Sequence, residues 1–139
     1  MTSAERRVEL AREGIEAYSR GDVKVALRLL SPEIEVYSPP ELPNAGTYHG
    51  LEGFGRWTAT WEEAWERFDR EILRIEPIGE RHTVAVVHQT GVGKESGIEV
   101  EQMAGFVMEL NDAEQCSYFA LYNEVDRAFE DARAREGLA

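Results

Sequence analysis

Apolar and polar positions alternate most regularly between Val84 and Leu110. Val84–Thr90 is a β-branched run. In Ile98–Leu110 the residues Ile98, Val100, Ala104, Phe106, Met108 and Leu110 share one parity, interrupted only by Gln102. Glu99, Glu101 and Glu109 occupy the other parity, as in a strand with one packed face. Between the runs, Gly91-Val-Gly-Lys-Glu-Ser-Gly97 supplies the positive-φ positions of a reversal, so the pattern predicts a long β-hairpin.

The rest of the chain is organised around it. Val8, Ala11, Ile15 and Tyr18 recur at spacings of three and four and predict a helix over Ala4–Arg20, with Thr2 or Ser3 as N-cap and Gly21 ending it. Asp22 caps a second helix that packs through Val23, Ala26, Leu27, Leu29 and Leu30 and stops at Ser31-Pro32. Ile34–Ser38 alternates as a short strand, the prolines of Pro39–Gly46 make a loop, and Thr47–His49 forms a brief second strand. Phe54, Trp57, Trp61, Ala64, Trp65 and Phe68 form one stripe and predict a helix over about Leu51–Phe68. Glu71–Glu76 is the strand before the hairpin, Gln115–Tyr122 the strand after it, and Asn123 to about Glu136 a closing helix. Helices followed by an antiparallel meander make an α+β pattern, with the helices on one face of a curved antiparallel sheet.

A length of 139 residues suits one domain over 1–139 with a single core. The net charge of -12 argues against nucleic acid and anionic membrane surfaces as partners, since both need a basic footprint. No apolar run approaches the roughly 18 residues of a membrane span, so a soluble, cytoplasmic protein is expected. Cys116 is the sole cysteine and reads as a buried small hydrophobe. Three scattered histidines have no metal-ligand spacing, and Gly91-x-Gly93 joins two strands without opening a helix, so neither a metal nor a phosphate loop is expected. His49 and His82 fall in turn-like contexts, where a solvated ring is the default.

Two readings of chemistry remain in the residues. With the hairpin centred between Lys94 and Glu95, His88 stands opposite Glu101 and Val87 opposite Gln102. A carboxylate beside an imidazole orients it and favours its charged form, which makes His88 and Glu101 a candidate acid/base dyad. The competing reading puts the pair on the polar face with Glu99 and Glu109, as a surface cross-strand pair or a contact between copies. Gln102 is the polar group on the apolar parity, held by backbone or presented to a ligand. Tyr18, Tyr37, Tyr118 and Tyr122 offer phenol groups, and the three tryptophans are either core or an aromatic wall.

Arg20-Gly21-Asp22, Tyr48-His49-Gly50-Leu51-Glu52-Gly53, Trp57 through Trp65, Gln89-Thr90-Gly91, Ser96 through Glu101, and Tyr122 with Asp126-Arg127-Ala128 stand in a characteristic order. Together they resemble the SnoaL-like, polyketide cyclase-related branch of the nuclear transport factor 2-like superfamily. The resemblance implies an α+β cone with an internal pocket, a homodimer, and either a cofactor-independent cyclase, isomerase or hydrolase or a binding module. Where related ketosteroid isomerases carry a general-base Asp, an oxyanion-binding Tyr and a protonated Asp, this chain has Ser38, Gly14 and Phe106. Phe106 also replaces the His of many SnoaL-like relatives, and Asn111–Glu114 replaces an Arg-Asp-Gly-Lys turn. The pocket is expected to be lined by Tyr18, Trp57, Trp61, Phe106 and Tyr122, with Ser38 and Gln102 as polar points. It suits a small apolar organic ligand. Tyr37, Met103 and Val107 on the outer face are the expected dimer surface. Two functions stand open: an enzyme with a single acid/base group, or a binding module that lost its base.

Overall fold

The stripe Ala11, Ile15 and Ala17 is buried in α1 (Ser3–Ser19), whose N-cap Thr2 accepts a hydrogen bond from the Glu5 amide. The chain's computed structural model describes residues 2–42 and 44–138; Met1, Pro43 and Ala139, included in the expected domain and loop, lie outside the described residues. After α1 come α2 (Val23–Arg28), β1 (Leu30–Ser38), β2 (Gly46–His49) and α3 (Gly50–Glu63). Next are β3 (Trp65–Ile78), β4 (His82–Gly93), β5 (Glu99–Leu110), β6 (Cys116–Tyr122) and α4 (Val125–Arg135). The α+β class and the element order follow the hydrophobic pattern. Among the described residues no helix is long and apolar enough to cross a membrane.

The strands form one curved, unclosed sheet in the order β2-β1-β6-β5-β4-β3. It is mixed, where the meander suggested purely antiparallel pairing: β1 lies parallel to β6, with Val36 beside Phe119. No hairpin can join parallel neighbours, and here everything from β2 to β5 serves as the crossover. Register shifts in β1, β3 and at the β5–β6 pairing bend the strands.

Two further expectations are corrected. Trp65 and Phe68 do not extend α3; they belong to β3, opposite Gly93 and Gly91. A Cβ at Gly91 would lie 2.6 Å from the Trp65 ring and 3.0 Å from Phe68, so the rings occupy room that only glycine leaves. Pairing with β4 thus overrides a period that also fits a helix. The hairpin register is offset by two residues: His88 faces Met103 and Glu101 faces Thr90. The Gly93 amide bonds to the Ile98 carbonyl at 3.0 Å, and Gly97 (φ 66) helps close a loop over 94–98, shifted toward the C-terminus from the expected Gly91–Gly97. An offset of two preserves every side chain's face.

The sheet carries two cores. Ile34, Val36, Ala85, Val87, Ala104, Phe106 and Leu121 pack on the inner face with α1 and Trp57 of α3. Val84, Val107, Tyr118, Ala120 and Tyr122 pack on the outer face beneath Ala128 and Ala132 of α4. The expected dimer surface therefore changes. Val107 is fully buried and Tyr37 packs against the outer core, which leaves Met103 exposed.

Candidate functional site

Inner-face side chains, α1 and α3 enclose a narrow cavity of about 80 Å³. Aromatic rings make much of its wall. Tyr18 meets Phe54 edge-on at 6.3 Å, Phe54 meets Trp57 at 6.0 Å, Trp57 meets Phe119 at 5.5 Å and Phe119 meets Phe106 at 5.2 Å. Gly14 faces the same space and leaves it open where a side chain on α1 would fill it; the nearest atom to a Cβ there is Leu29 Cδ1 at 3.8 Å. Trp57 is pinned because its indole N–H donates to Ser38 Oγ at 2.6 Å. Ser38 is 1% exposed, so its hydroxyl serves the wall and not the lumen.

The polar groups on the lining are few. Burial, and then the charge of Glu62, pushes the Tyr18 phenol up to about 12, and its hydroxyl donates to Glu62 Oε1 at 3.1 Å. Burial also pushes the Cys116 thiol up to about 12, so it stays protonated and is no nucleophile. Glu114 reaches the rim but is half exposed and paired with Arg6 at 3.0 Å. Arg70 remains. It extends from β3 across the inner face, with its guanidinium carbon 5.1 Å from the Phe68 ring centroid and 5.2 Å from that of Phe106. Burial lowers it to about 10, and it is still charged at neutral pH.

Arg70, Tyr18, Ile15 and Trp61 also border an open polar groove of about 840 Å³ running past Arg12, Arg20, Glu66 and Arg67. These four side chains form a doorway. Trp61, Trp65 and Phe68 stack mutually beside it, with centroids 5.2 to 5.7 Å apart.

The structure gathers Tyr18, Trp57, Trp61 and Phe106 at the cavity, with Ser38 behind Trp57. It puts the other candidates elsewhere. His88 and Glu101 do meet, with Nε2 and Oε1 2.6 Å apart, but as a diagonal pair on the outer face with side chains 29% and 72% exposed. Tyr122 lies under α4 on that same outer side, 6.2 Å from Tyr37. Gln102 stands opposite Gln89 with inner-face parity, beyond the cavity lining. Tyr118 donates to Asp131 at 2.8 Å, outside the cavity.

The sequence reading passed over Arg70. Its signal was the alternation Phe68, Arg70, Ile72, hidden once Phe68 was assigned to a helix. His82 is also corrected: it is 3% exposed, not solvated. Its Nδ1 bonds to Glu136 and its Nε2 lies 3.0 Å from Glu109.

The model of the SnoaL-like domain family matches residues 11–115. No curated protein matches. A protein of Jannaschia sp. CCS1 described as a SnoaL-like polyketide cyclase is 16% identical, with 96% of each chain covered and a TM-score of 0.74. TerC, co-crystallised with polyporic acid, is 13% identical over 91% of this chain and 97% of its own, with a TM-score of 0.74. RV0760c of Mycobacterium tuberculosis, in complex with estradiol-17beta-hemisuccinate, is 13% identical over 87% and 95%, with a TM-score of 0.71.

Proposed function

The chain belongs to the SnoaL-like domain family, and on that premise we propose that it binds a small, largely apolar organic molecule in the inner-face cavity without itself supplying an acid/base catalyst. One observation carries this reading: the ionisable groups on the lining are a phenol, a thiol, a guanidinium and a rim carboxylate already paired with Arg6. Tyr18 and Cys116 hold their protons at neutral pH and Arg70 holds its charge, so none of the three is a base. Two structural relatives are known with small organic molecules, which agrees with a ligand role for this fold but assigns none to this chain.

The remaining expectations fit beside this reading. His88 and Glu101 act as a surface pair next to exposed Met103, and that patch is where a second copy would dock. Sedimentation of the wild-type protein and of Met103→Glu tests the dimer: a wild-type dimer that the substitution leaves intact removes this patch from the interface.

Titration with the neutral probe 4-phenylbutanol, followed by tryptophan emission, tests the cavity. Saturable binding that Gly14→Leu weakens at least tenfold is expected, because the new side chain fills the lumen. Absence of saturable binding overturns the reading, and so does turnover of a bound compound that His88→Ala abolishes.

A further inference from the structure

Arg7, the buried arginine elsewhere among the described residues, has its two terminal nitrogens provided for, although its Nε is not. Arg7 directs Nη1 to the His82 carbonyl and Nη2 to the Gly79 carbonyl, each at 2.8 Å. Arg70 has a single protein partner, the Ser19 hydroxyl at 3.2 Å, and no carboxylate pairs with it among the described residues. A charge moved out of water without a counter-charge is costly, and a fold retains such an arrangement more readily where a ligand completes it.

The neighbouring buried atoms have the same need. The Nε of Arg70, the indole nitrogens of Trp61 and Trp65, and Nε2 of Gln89, across the ladder from Arg70, all lack a hydrogen-bond partner among the described residues. Every one is a donor. A doorway that has spare donors and an uncompensated cation, backed by an apolar cavity, asks for a molecule with an acceptor-rich anionic end and an apolar body.

We propose that the ligand is an organic monocarboxylic acid, its apolar body in the cavity and its carboxylate on Arg70 at the doorway. This rests on the cavity being the binding site. The planar guanidinium presents a fork that matches a carboxylate, whereas an alcohol or amide meets only part of it. The Phe68 and Phe106 faces on which the guanidinium rests fix its plane and leave it little freedom to lose on binding. The protein's net charge of -12 gives a free anion no general attraction to the surface, so recognition must come from a local cation. Of the arginines that line the groove, Arg12, Arg20, Arg67 and Arg70, only Arg70 also lines the cavity, which makes it the anchor.

The test compares three probes with one apolar body: 4-phenylbutyrate, 4-phenylbutanol and 4-phenylbutylamine, titrated calorimetrically at neutral pH. The wild-type protein should bind the acid at least tenfold more tightly than the alcohol, and the amine most weakly. Arg70→Gln should erase the preference for the acid, bringing the acid's affinity to within about twofold of the alcohol's in the same variant. Equal wild-type affinity for acid and alcohol overturns the assignment to Arg70 while the cavity reading stands. A preference for the acid that survives in folded Arg70→Gln overturns it too. If neither acid nor alcohol binds, the cavity reading falls and this proposal with it. The wild-type comparison needs no variant, so a failure of Arg70→Gln to fold does not remove the test.

Discussion

The two faces of one sheet are built to opposite specifications. On the outer face small residues close the gap completely: Val84, Val107, Ala120, Ala128 and Ala132 are all fully buried. Its polar groups are matched there, Tyr118 with Asp131 and His82 with Glu136. The inner face is packed with large rings that leave a lumen, and buried donors beside its doorway have no partner among the described residues. Close packing and satisfied polar groups stabilise a fold; a lumen with unmet donors costs stability and prepares a site. The α4 face therefore supports the cavity face.

The sharpest way to break this contrast is to make one substitution on each side. Gly105→Ala places a Cβ 2.6 Å from Ala128 Cβ and should push α4 off the sheet, lowering unfolding free energy by about 2–3 kcal/mol in urea titrations. A loss below about 1 kcal/mol would mean that this interface yields easily and that the faces differ less than their packing suggests.

Glu136 gives the next largest effect. Burial raises its carboxyl, but hydrogen bonds from His82 and the Glu80 and Arg81 amides outweigh burial and hold it at about 2. Its folded value lies below the ordinary 4.5, so its contribution is full above that pH and is lost as pH falls toward 2. Glu136→Gln should cost about 2 kcal/mol at neutral pH, with the deficit shrinking between those two pH values. A deficit that does not vary with pH would show that the carboxyl acts by shape and not by charge.

Gly14→Ala is the inner-face counterpart of Gly105→Ala and should have the opposite sign. Its Cβ meets only Leu29 Cδ1 at 3.8 Å, and alanine suits helix α1, so stability should rise by about 0.5–1 kcal/mol. Binding of 4-phenylbutanol should weaken modestly as the lumen narrows. The smallest effect belongs to His88→Ala, which removes a partly exposed cross-strand hydrogen bond to Glu101. Stability should change by at most about 1 kcal/mol and probe affinity not at all. A large loss of affinity would bring the pair back into the site.

Much of this was legible in order, less of it in depth. Alternation placed β5 and β6 within a residue or two, and the helical stripe of α1 was clear, because each depends on local periodicity. Tyr18, Trp57, Trp61 and Phe106, which the resemblance put on a pocket wall, all border the inner-face cavity. The failures are nonlocal. The end of α3 depended on glycines of β4 more than twenty residues away. The burial of His82 depends on Glu136, and the position of Tyr122 depends on which face α4 covers. Arg70 was missed through the first of these errors, since a charged residue in an inward row is informative only once the row is known to be a strand.

The parallel pair β1–β6 has a consequence for how the molecule assembles. Val36 and Phe119, neighbours in the sheet, are 83 residues apart in the chain, so the strand that unites β2–β1 with β5–β4–β3 is synthesised after the other five. Until Cys116–Tyr122 arrives, the hairpin and the N-terminal layer have no shared ladder, and β1 presents an unpaired edge. Long-range closure of this kind slows folding. The nascent protein spends that interval with its cone unmade and its inner wall divided between two halves, so a small molecule that needs both halves can stabilise only a chain that already includes β6.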